Sequence, residues 1–81
     1  MPLLWVDATV PPSPILAVGA RVDRARLEYQ RYREAGDLMA AAGTAMFLAT
    51  ALEAIGEPRE VRQWTDRARE CEVLARRRRA Q

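Results

Sequence analysis

The chain has 81 residues, 49% apolar and 30% charged, with a formal net charge of +2, which makes one small domain whose core is marginal without a metal, a disulfide or a partner. No histidine is present and cysteine occurs once, so the usual zinc and iron ligand sets and an internal disulfide are excluded within one chain. The apolar share excludes a disordered chain, which leaves oligomerisation or partner binding as the expected supplement.

The stretch before residue 13 reads as an extended arm. "LLWV" has strand character, and Pro11-Pro12 stops any helix. It has no positive n-region and no signal-peptide layout, which together with the free thiol points to the cytoplasm. Ser13 followed by Pro14 is a hydroxyl cap with proline at the first helical position. A first helix is predicted from about Pro14 to Ala35, with Ile15, Val18, Val22, Ala25, Tyr29 and Tyr32 on one arc. Gly19 weakens its first turns and allows a start as late as Ala20. Five arginines against three acids leave residues 21–36 positive.

Gly36 and Asp37 stop one helix and cap the next. The second helix is expected from about Leu38 to Ile55. Leu38 to Leu52 carries no charge, and the bounding acids make residues 37–57 negative. Fifteen residues at about 1.5 Å each span about 22 Å, short of the roughly 30 Å of hydrocarbon in a bilayer, so no membrane span is expected. Leu48, Leu52 and Ile55 lie on one side, Met39 and Met46 on another, and Phe47 further round. Ala42, Ala45 and Ala49 between them allow close approach of another backbone. A helix apolar all round must be covered all round, and two neighbours cover about two-thirds of it. A second copy of the chain is the simplest cover for the remainder.

Gly56, Glu57 and Pro58 repeat the stop-and-restart device. The third helix is predicted from about Pro58 to Arg78, with Val61, Trp64, Ala68, Cys71 and Ala75 as its apolar stripe. Arg62–Asp66 and Glu72–Arg76 are i,i+4 pairs on its exposed side. Eight arginines against four acids make residues 58–81 positive. The turns are short enough to force antiparallel neighbours. The fold expected is all-α: arm 1–12 and a three-helix domain 13–81.

The chemistry-bearing residues are few. A nucleophile needs an adjacent base, and the chain has neither histidine nor lysine. Ser13 is accounted for as a cap, and Cys71 on the apolar stripe behaves as a small hydrophobe. The acids each have a capping or ion-pair role. No enzyme and no cofactor is expected. Leu4, Trp5, Met39, Met46, Phe47, Ala49, Tyr29 and Tyr32 are the candidate protein-interface residues.

Gly36, Asp37, Ala42, Leu48, Ala49, Leu52, Ile55, Gly56, Glu57, Val61, Trp64 and Ala68 form a pattern over about residues 36–70 that resembles a tetratricopeptide unit of the longer variety. Leu48, Ala49 and Leu52 match the first helix of such a unit, and Val61 and Ala68 match small positions of the second, with valine where alanine is usual. The resemblance implies interlocking helix packing and a protein-interaction role. The uncovered side of the second helix points to the chain itself as partner, in a homo-oligomer, most simply a dimer, or to another protein. One and a half units are too few for the usual groove. "PREVRQWTDR", Pro58 to Arg67, also resembles the recognition helix of some helix-turn-helix proteins. That resemblance makes Arg59, Arg62, Gln63 and Arg67 candidate nucleic-acid contacts, joined by Arg76, Arg77, Arg78 and Arg79, whose charge suits phosphates but is accounted for first by a solvated helix end. The connection before it is about two residues longer than the usual turn.

Overall fold

A computed structural model describes residues 14–80, with side chains described from Val18 onward. Three helices fill this range: α1, Pro14–Ala35; α2, Leu38–Ala54; and α3, Pro58–Ala80. The fold is all-α, as expected. The arm, with its interface candidates Leu4 and Trp5, and the Ser13 cap lie outside the described residues.

Both turns are built the same way. Gly36 and Gly56 sit at φ +77° and +80°, the left-handed region where a side chain is strained. Around Gly36, the Asp37 amide donates to the Tyr32 carbonyl and the Gly36 amide to that of Arg33. Around Gly56, the Glu57 amide donates to Leu52 and the Gly56 amide to Glu53. This double pattern satisfies carbonyls that a helix end otherwise leaves open. Asp37 then caps α2, accepting from the Ala40 amide at 3.2 Å. Helical geometry runs through Gly19 to Pro14, so the weak first turns of α1 hold. α2 stops one residue sooner than expected: Ile55 is its C-cap and is exposed, outside the Leu48–Leu52 cluster. α3 runs two residues beyond Arg78.

α2 is the central helix. It packs along both α1 and α3, while no Cα of α1 lies within 8 Å of one in α3. Ala45, Leu48, Ala49 and Leu52 share one core cluster with Val22 and Ala25 of α1 and Trp64 and Ala68 of α3. Leu38, Ala41 and Ala42 share a second with Cys71 and Ala75, closed by Tyr29, Tyr32 and Leu74. The first turns of α2 therefore share a cluster with Cys71 and Ala75 in the second half of α3, and its later turns with Trp64 and Ala68 in the first half. Four of the seven buried α2 residues are alanine, and small side chains let helix axes approach closely.

Long side chains bridge the gap between α1 and α3. Tyr29 meets the Trp64 ring edge-on, centroids 5.0 Å apart, a favoured aromatic geometry. Nη2 of Arg26 donates to both carboxylate oxygens of Glu60 at 2.9 Å. Arg33 donates to Cys71 Sγ at 3.4 Å and approaches Glu70 at 3.8 Å. The expected pairs Arg62–Asp66 and Glu72–Arg76 do not close. Among the described residues, the i,i+4 ion pair within a helix is instead Arg24–Glu28 at 3.8 Å.

Candidate protein-interaction site

With α1 and α3 both packed on one side of α2, its other side has no cover among the described residues. At about 100° per residue, Gly43 points directly away from Leu52, which is almost wholly buried. Met39 and Phe47 lie four residues to either side of Gly43, about 40° off its direction on opposite sides. Met46, Ala40 and Thr50 complete the arc. Met39 is 52% exposed, Met46 45% and Phe47 44%. These three are interface candidates that the structure brings together on one surface.

The polar groups on this face are already satisfied. The Thr50 hydroxyl donates to the Met46 carbonyl at 3.0 Å, and the Thr44 hydroxyl to the Ala40 carbonyl at 2.9 Å. Covering them leaves no donor without a partner. Beside the face, a groove of about 450 Å³ runs between α1 and α2, with Ala25, Tyr32, Ala40, Gly43 and Phe47 in its lining and Arg21, Arg24 and Glu28 also bordering it.

The other candidates are placed differently. Ala49 is 4% exposed and belongs to the internal core with Trp64 and Ala68, so it forms no part of an outer surface. It follows Leu48 into the core because both lie on the α2 arc facing α1 and α3. Tyr29 and Tyr32 are half-buried against α2. The Tyr29 hydroxyl lies 3.8 Å from Cys71 Sγ; burial, then this contact, raises its pKa above the ordinary tyrosine value, with Arg33 and Arg67 opposing. Cys71 itself is fully buried, which fits the hydrophobe reading.

Arg59, Arg62 and Gln63 are exposed and line one shallow cleft with Asp66. Arg67 lies over the Trp64 ring, 4.4 Å from its centroid, where a guanidinium is attracted to the aromatic face. Arg76, Arg77 and Arg79 are exposed. Arg78 turns back to donate to the Gly36 carbonyl at 3.0 Å. Among the described residues no helix is long and apolar enough to cross a membrane, and no group of three His, Cys, Asp or Glu side chains is placed to hold a metal.

One feature of this site was not predicted. Gly43 lies inside a helix, where glycine costs roughly 0.5–1 kcal/mol relative to alanine, yet a Cβ added there would meet nothing within 4 Å. An isolated glycine inside a helical pattern was the available signal. Away from the groove, Leu27 is 60% exposed on α1, hidden in the sequence by the arginines and acids around it.

Comparisons with family models, with curated proteins and with solved structures find no match for this chain.

Proposed function

We propose that this protein is a small non-catalytic assembly module that associates with a second copy of itself through the outward face of α2. One observation carries the reading: Met39, Met46 and Phe47 form a half-exposed apolar patch on the central helix of a domain too small to be generous with its apolar surface. Its flanking threonines are internally bonded, which suits a surface that is covered in use. The resemblance of residues 36–70 to a tetratricopeptide unit, taken as analogy, supports an interaction role.

The test is solution mass by light scattering and sedimentation at tens of micromolar. The parent is expected to be a dimer, and Phe47→Glu with Met46→Glu a folded monomer. A well-folded parent that stays monomeric at high micromolar concentration overturns the reading.

The second reading is a DNA-binding regulator using α3. The joint exposure of Arg59, Arg62 and Gln63 on one cleft favours it. Against it, α3 packs along the length of α2 instead of crossing it steeply as a recognition helix does, Arg67 is engaged by Trp64, and Arg78 by Gly36. These placements favour assembly.

A further inference from the structure

We infer that two copies of the chain meet with their α2 helices crossing at Gly43, on a two-fold axis that sets the helices in opposite directions. The inference rests on the self-association reading and adds to it the contact point, the direction and the pairing of residues.

Gly43 is the first observation. The fold gives no internal reason for a glycine there: it is not in the left-handed region, and a Cβ would enter open space. It stands at the centre of the outward arc, flanked by the exposed Met39 and Phe47. A helix interior without a Cβ at the middle of an apolar face is what the close crossing of two backbones requires.

The second observation is the spacing around it. Across a two-fold axis at Gly43, positions at nearly equal distances on either side of it face each other. Such an axis inverts the level along the helix and keeps the flank, so Met39 meets the partner's Met46 on one flank and Ala40 meets the partner's Phe47 on the other. Large side chains flank the crossing, and the small Ala40 makes room for phenylalanine. Thr50 lies near the middle of the same arc with its hydroxyl already bonded.

Charge sets the direction. α2 carries no basic residue, and Asp37 and Glu53 bound its uncharged stretch. Parallel helices would set Asp37 against Asp37 and Glu53 against Glu53. The opposite direction separates those pairs. It carries the partner's Asp37 to the level of Ala49, toward the end of the groove bordered by Arg21 and Arg24; Arg24 is paired with Glu28, so Arg21 supplies the opposite charge. A stable interface buries roughly 800 Å² per partner, more than one helix face offers, so the α1–α2 groove beside Phe47 belongs to the contact and receives the partner's apolar side chains.

The experiment compares parent, Gly43→Ala, Gly43→Leu, Gly43→Cys and Thr50→Cys by sedimentation, circular dichroism and mild oxidation. Gly43→Ala is expected to raise the thermal midpoint under dilute, monomeric conditions and to weaken the dimer at the same time, a pair of opposite effects that a purely structural glycine does not produce. Gly43→Leu should weaken dimerisation by roughly 100-fold with helicity retained. Gly43→Cys should cross-link to itself, because only residues near the axis reach the roughly 5.5–6 Å Cα separation a disulfide needs. Thr50→Cys should not cross-link, and nor should the parent, whose only thiol is buried. A dimeric parent whose affinity is unchanged in Gly43→Leu, or whose Thr50→Cys cross-links while Gly43→Cys does not, overturns the Gly43 crossing and leaves self-association standing. A monomeric parent overturns both.

Discussion

Nη2 of Arg26 holds both carboxylate oxygens of Glu60 at 2.9 Å, joining α1 to α3 across 34 positions of sequence although no Cα atoms of the two helices come within 8 Å. The side chains are 40% and 37% exposed, so solvent screens the pair. A double-mutant cycle with Arg26→Met and Glu60→Gln should give a coupling of less than about 1 kcal/mol that shrinks as salt is raised. A coupling of several kcal/mol, unaffected by salt, would show that the bridge is far better shielded than its exposure indicates.

Trp64 joins all three helices. It is buried, edge-on to Tyr29 and covered by Arg67. Truncation to alanine should cost about 3–5 kcal/mol, comparable with the whole stability of so small a domain. Loss of helical circular dichroism at room temperature is the expected outcome for Trp64→Ala, with Trp64→Phe still folded. A cooperative transition near the parent's in Trp64→Ala would contradict this placement.

Ala49 lies where α2 is tightly packed. Ala49→Leu adds volume to the core and should cost about 1–3 kcal/mol, seen as a lowered thermal midpoint. Arg69→Leu, at an exposed position of α3, should change it little. Equal midpoints in the two variants would place the wrong arc of α2 inside.

Tyr29 supplies a pH signature. Its folded pKa is raised, chiefly by burial and then by Cys71, so the folded state holds the phenol proton more tightly than the unfolded chain does. The associated stability is fully present below the ordinary tyrosine pKa of about 10 and is lost as pH rises through the folded value. Chemical denaturation from pH 8 to 11 should show stability falling at the alkaline end, less steeply in Tyr29→Phe. An identical decline in both proteins would remove Tyr29 as its source.

The arginine tail separates the two functional readings. If Arg76–Arg79 bound phosphates, four contacts at about −0.9 each would give a slope of log affinity against log salt near −3.6. Truncation after Ala75 is expected to leave oligomer mass unchanged and to reveal no such slope for duplex DNA. Salt-steep, sequence-selective binding by the full chain, abolished by changing Arg62 and Gln63 while the oligomer persists, would promote the DNA-binding reading.

The three helices and their limits were legible because local chemistry sets them. Gly36 and Gly56 supply the left-handed residues, Asp37 and Pro58 restart the chain, and the polar faces of α1 and α3 declare their buried stripes at helical spacing. α2 offers no such contrast. With apolar residues on every side, periodicity does not say which arc faces inward, and Ile55, Ala49 and Gly43 could not be placed from the pattern. Tertiary packing made that choice by shape: Ala41, Ala45 and Ala49 turn inward because small side chains let α1 and α3 approach, and Met39, Met46 and Phe47 are left outside. The Arg26–Glu60 bridge was equally out of reach, since residues so far apart in sequence become neighbours only once α2 has set the distance between the helices that carry them.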